Sequence, residues 1–341
     1  MTRKLRDSVM VITGASSGIG RATALAAARR GSTVVLAARR EQALQELASE
    51  CQGLGGRALA VQTDVRNEEA VRNLARRAIE NYGRIDVWVN NAAVTLFARF
   101  EEAPPDIYRQ VFETNLFGQI HGARAVLPYF REQGSGVLIN LSSVVAKVGQ
   151  PYASAYVTTK HAIRGFSECL RQEVLDADDI HVCTILPAAI DTPLYQQAAN
   201  YTGRAPKPMN PVYSAEKVAE AIISCAEHPK REVEVGGSSR AIGAMRAVAP
   251  GMSEKAAAKA VEKDHFTDTV VPPGPGNVLE PVPEWAEVSG GWQTTGEMPT
   301  GKIAAGAAGA AAVSGMAVAG WLWMRNRDDG WKKTIRKVQR K

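Results

Sequence analysis

Val9-Met10-Val11-Ile12-Thr13 runs straight into Gly14-Ala15-Ser16-Ser17-Gly18-Ile19-Gly20, and an Ala/Leu/Arg-rich stretch follows from residue 19 to 30. The first five residues, apolar and mostly β-branched, read as a buried strand, and the third part reads as a helix. The glycines between them permit a tight turn and close backbone approach. The helix N-terminus then presents unpaired N–H groups to an anion such as a pyrophosphate. A glycine-rich turn alone is weak evidence, but a strand before it and a helix after it are what the mechanism requires.

Working outward, the same alternation continues to residue 235. Strands are expected at 9–13, 33–37, 58–62, 87–90, 136–141, 181–186 and 232–235. Helices are expected at 19–30, 41–51, 68–82, 107–133, 155–176 and 215–227. Seven strands separated by crossover helices imply an α/β fold with a doubly wound parallel sheet.

Further residues fall in a recognisable order: Asp64 after the third strand, Asn90-Asn91-Ala92-Ala93 after the fourth, Asn115 in the fourth crossover helix, Ser143 after the fifth strand, then Tyr156 and Lys160. Together with the G-x-x-x-G-x-G turn, this set resembles the short-chain dehydrogenase/reductase family over residues 8–237. Two positions depart from the family pattern: Ala93 stands for the usual glycine of Asn-Asn-Ala-Gly, and Ala188 for the glycine after Pro187. The resemblance implies a Rossmann-type seven-stranded domain over 1–240 that uses a nicotinamide dinucleotide to interconvert a ketone or aldehyde and an alcohol.

The site follows residue by residue. Tyr156 and Lys160 are four apart on one helix face. An unperturbed tyrosine is a poor base at neutral pH, and a neighbouring ammonium would stabilise its phenolate. Ser143 would hydrogen-bond the substrate oxygen, with Ser142 as second candidate, and by resemblance Asn115 holds a water linking Lys160 to solvent. Cofactor contacts are expected from Gly14, Ser16, Ser17, Gly18, Ile19 and Gly20 at the turn. Others follow from Asp64 and Val65 near adenine, Asn91 and Ala92 along the ribose, and Ile190 and Thr192 near the carboxamide, with Tyr156 and Lys160 completing the set. At the end of the second strand Ala38 replaces the acid of NAD-using relatives and is followed by Arg39 and Arg40. Guanidinium groups suit a 2′-phosphate, so NADP(H) is expected over NAD(H). Residues 144–153 and an apolar, aromatic lid over 194–213 are expected to contact a hydrophobic substrate.

Charge is unevenly placed. The formal net charge is +6, yet residues 325–341 carry eight basic side chains and two acids, so the other 324 residues are net neutral. This argues against a nucleic-acid partner for the body. Four well-separated cysteines fit a reducing compartment and, with no paired histidine spacing, give no metal site. Beyond the domain, 241–301 is Ala-rich then Pro-rich, a helix followed by a linker or a surface-wrapping segment. Residues 303–324 hold no charge, and 22 residues reach about 33 Å as a helix, enough for a bilayer core of about 30 Å. Nine alanines and four glycines make insertion marginal, while Trp321 and Trp323 beside Arg325 and Arg327 favour an interface. The expectation is a cytoplasmic catalytic body associated with a membrane through a hydrophobic helix over 302–324 and the basic tail 325–341. A homo-oligomer is also expected.

Overall fold

The structure is a computed structural model that describes residues 5–237 and 250–293. The candidate transmembrane segment and the basic tail lie outside the described residues. Among the described residues no helix is long and apolar enough to cross a membrane.

Seven strands form the sheet: β1 (Val9–Thr13), β2 (Thr33–Ala38), β3 (Arg57–Gln62), β4 (Val87–Asn90), β5 (Gly136–Leu141), β6 (Ile180–Pro187) and β7 (Glu232–Val235). Their spatial order is β7-β6-β5-β4-β1-β2-β3, every neighbouring pair parallel. The order reverses between β1 and β4, which opens a crevice at the strands' carboxyl ends where this class of sheet takes its ligands. All five residues of β1 are buried, as expected of a strand covered on both faces. Met10 and Ile12 join one core cluster and Val9 and Val11 the other.

The first face is covered by α1 (Gly18–Arg29), α2 (Glu41–Gly53) and α7 (Ala215–Glu227). The second is covered by α3 (Glu68–Tyr82), α5 (Gly118–Gln133) and α6 (Ser154–Glu173). Local chemistry explains their ends. Asn67 caps α3 by accepting from Ala70 N–H at 3.1 Å, Glu68 and Glu69 sit in its positive first turn, and Gly83 closes it at φ +73°.

The single helix expected over 107–133 is instead α4 (Pro105–Phe112), a π-helical turn (Glu113–Phe117) and α5. The extra residue of the π turn falls on the segment holding Asn115, whose side chain is pulled out to Val94, as π-bulges at functional sites often are. A buried chain of amides braces the centre: Trp88 Nε1 donates to Asn90 Oδ1 (2.8 Å), Asn90 Nδ2 to Asn140 Oδ1 (2.9 Å), and Asn140 Nδ2 to Ser167 Oγ (2.9 Å). It ties β4, β5 and α6 together.

The compact unit extends to Gln293 rather than ending near residue 240. Helix α8 (Pro250–Asp264) leads into β8 (Phe266–Val270), which pairs antiparallel with Arg204–Pro206. Residues 277–293 then cross the carboxyl end of the sheet, so the Pro-rich stretch is a wrapping strap over its described part.

Candidate active site

Ser143 follows β5, and Tyr156 and Lys160 stand one turn apart on α6. All three line one cavity of about 870 Å³ that also reaches the glycine turn and the ends of β2 and β3. Ser143 Oγ donates to Pro187 O at 3.2 Å and accepts from Val145 N–H at 3.3 Å. Lys160, 2% exposed, donates from Nζ to Leu141 O at 2.9 Å. Burial lowers its pKa to about 7. Burial also raises the Tyr156 phenol to about 12. Ser142, the second candidate, turns its hydroxyl to Lys160 O at 2.8 Å and so supports α6.

The cavity wall takes Gly14, Ser16, Ser17, Gly18, Ile19, Arg39, Arg40, Asp64, Val65, Asn91, Ala92, Ile190 and Thr192, all expected from the sequence. Gly20 and Asn115 lie behind it. A Cβ on Gly20 would sit 2.3 Å from Gly14 O and 2.6 Å from Asn91 Nδ2, so glycine there lets α1 close onto the turn. Asn115, fully buried, receives Val94 N–H (2.8 Å) and donates to Val94 O (2.9 Å) and Thr159 Oγ1 (3.2 Å). Both of its Nδ2 hydrogens are committed, so the side chain has no donor left for a water.

The turn fits a dinucleotide. Gly14 has φ +66° and its hypothetical Cβ would meet Ala92 Cα at 2.7 Å. The Ser17 side chain makes no capping bond to α1, and the first N–H of that helix, Gly18 N–H, donates instead to Glu287 O at 2.9 Å. Asp64 is pushed up by burial but held below the usual carboxylate range by hydrogen bonds and charge from Arg66 and by the charge of Arg39. Arg39 and Arg40 are both turned toward strap carbonyls: Arg39 reaches Asn277 O (2.5 Å) and Leu279 O (3.0 Å), and Arg40 reaches Glu284 O (2.8 Å).

The rest of the cavity mixes polar side chains such as Gln150, Asn210 and Glu254 with a larger apolar and aromatic set. Val145, Val148, Leu194, Tyr195 and Met209 come from the expected substrate-contact segments. Val261 and His265 come from α8 and its end, which no motif marked. His265 is 3% exposed and packs edge-on against Phe97 and Tyr195, with Nε2 3.1 Å from the Gln150 amide. Burial lowers its pKa to about 4. Of the cysteines, Cys51, Cys183 and Cys225 are buried and Cys169 is exposed. No group of three or more His, Cys, Asp or Glu among the described residues could hold a metal ion.

A family model for short chain dehydrogenases matches residues 8–202. The chain belongs to the short-chain dehydrogenase family. It is similar to the uncharacterised oxidoreductase YxnA of Bacillus subtilis (strain 168), 40% identical over 256 residues covering 74% of this chain and 72% of the relative. It is also similar to dehydrogenase/reductase SDR family member 7B of Bos taurus, 31% identical with 77% and 84% covered. An alcohol dehydrogenase from the archaeon Thermococcus sibiricus, solved in complex with 5-hydroxy-NADP, shares 29% identity at a TM-score of 0.59. That match covers 67% of this chain and 95% of the other. As a short-chain dehydrogenase, the chain is an oxidoreductase acting on CH–OH groups, of a family that binds NAD(P).

Proposed function

We propose that this short-chain dehydrogenase interconverts a hydrophobic ketone or aldehyde and its alcohol with NADP(H) in preference to NAD(H). The observation that carries the reading is the convergence of Ser143, Tyr156 and Lys160 on one apolar cavity continuous with the glycine turn. Nicotinamide, when bound, supplies hydride transfer to or from the carbon of the substrate. Tyr156 hands the carbonyl oxygen its proton in reduction and, as phenolate, takes the hydroxyl proton in oxidation. Ser143 orients that oxygen toward Tyr156, and the Lys160 ammonium lowers the energy of the phenolate. Two arginines and no acid at the end of β2 support NADP(H). Valines, Leu194, Met209 and an aromatic wall favour an apolar substrate.

Turnover of ketones with NADPH and of secondary alcohols with NADP, followed by absorbance at the nicotinamide band, tests this. Tyr156→Phe removes the proton donor and is expected to lower kcat by about 10² to 10⁴ while NADPH still binds. Undiminished turnover would remove Tyr156 from the mechanism, and equal efficiency with NADH would remove the cofactor preference. We further propose that residues 303–324 and the basic tail associate the enzyme with a membrane, supported by their uncharged length and flanking tryptophans and arginines. Release of the full-length protein from membranes by neutral buffer alone would refute it.

A further inference from the structure

We infer that residues 277–293 are the outer wall of the dinucleotide site, with Arg40 as their clamp and Arg39 as the only arginine of the pair left for a 2′-phosphate. The inference rests on the NADP(H) reading above. A guanidinium carries five N–H donors. In Arg40 all are engaged: Nε with Ser16 Oγ (3.3 Å), Nη1 with Glu284 O (2.8 Å) and Val282 O (3.2 Å), Nη2 with Ser16 (3.1 Å to Oγ) and Trp285 O (3.4 Å). Arg39 gives one N–H each from Nη1 and Nη2 to the strap, which leaves three. A phosphate at Arg40 would have to displace acceptors already in place. At Arg39 it would find open donors on the cavity wall.

The other end of the strap is tied to Asp191, whose carboxylate receives Ser289 Oγ–H (2.7 Å), Gly290 N–H (2.9 Å) and Trp292 N–H (2.9 Å). Between the two fastenings, Gly18 N–H of the glycine turn donates to Glu287 O at 2.9 Å. The strap therefore spans the crevice from the end of β2 to the segment after β6, and the cavity persists beneath it. A dinucleotide can then enter or leave only when these fastenings open, a release step of the kind that limits many enzymes.

The test measures dissociation of NADPH and NADH by stopped-flow displacement from the full chain and from Arg40→Ala, Asp191→Ala and Arg39→Ala. Arg40→Ala and Asp191→Ala are expected to release both cofactors at least about tenfold faster and to keep the NADPH-to-NADH affinity ratio. Arg39→Ala is expected to lower that ratio at least about tenfold. Release rates within about twofold of the parent in both strap variants would overturn the gating. A ratio that falls as far in Arg40→Ala as in Arg39→Ala would overturn the division of roles. Failure of the parent chain to bind either cofactor would instead refute the reading beneath the proposal. Should the variants not fold, hydrogen exchange on the parent chain decides: amides of residues 277–293 are expected to slow with NADPH, and unchanged exchange overturns the strap.

Discussion

Lys160 Nζ lies 5.3 Å from the centroid of the Tyr156 ring, and burial moves the two groups' pKa values in opposite directions, each toward its neutral form, Lys160 down to about 7 and Tyr156 up to about 12. The two titrate as a pair: phenolate formed beside Lys160 holds it as ammonium, and a positive charge at that distance favours phenolate over phenol. Alcohol oxidation needs the phenolate, so kcat/KM for oxidation is expected to rise with pH. Lys160→Met should carry the rising limb to higher pH, and Lys160→Arg should return it part of the way. A pH profile of kcat/KM between pH 6 and about 10 reads this. An unshifted limb in Lys160→Met would assign Lys160 to scaffolding alone.

Asn115 satisfies both main-chain groups of Val94 in a fully buried setting. Asn115→Ala strands one donor and one acceptor, each costing roughly 1–3 kcal/mol. The urea midpoint should fall accordingly with an unchanged m-value, and cofactor affinity should weaken because Ala92 and Ala93 adjoin the loosened Val94.

His265 has a folded-state pKa of about 4, below its ordinary 6.5, because burial disfavours its cation. Between those values the unfolded chain binds the extra proton. The stabilising contribution is full above pH 6.5 and is lost as pH falls toward 4, by at most on the order of 3 kcal/mol. His265→Leu should therefore flatten the acid limb of a stability-against-pH curve between pH 6.5 and 4, measured by denaturant midpoints.

The seven parallel strands and the grouping of Ser143, Tyr156 and Lys160 were readable because each rests on local pattern: continuous apolar strands, a glycine turn and Tyr-x-x-x-Lys spacing. The π turn at Asn115 was not, since one residue of helical slippage leaves no mark on a 3.6-residue periodicity. The Pro-rich stretch offered a linker or a surface-wrapping segment, but where the strap is fastened escaped for a different reason. Its fastenings are mostly backbone carbonyls, which any sequence supplies, and Arg39 and Arg40 look the same in sequence whether they meet a phosphate or a peptide group. His265 and α8 join the substrate chamber only through folding back along Arg204–Pro206, a pairing that no short-range signal encodes.

The strap also orders events during synthesis. Arg40 emerges from the ribosome early, yet its partner carbonyl at Val282 follows 242 residues later. Ser143, Tyr156 and Lys160 can all be in place on a nascent chain whose cofactor crevice is still unwalled. A polypeptide that stops short of Gln293 would hold its reactive residues without the closure, and whatever dinucleotide it bound would exchange freely with the pool.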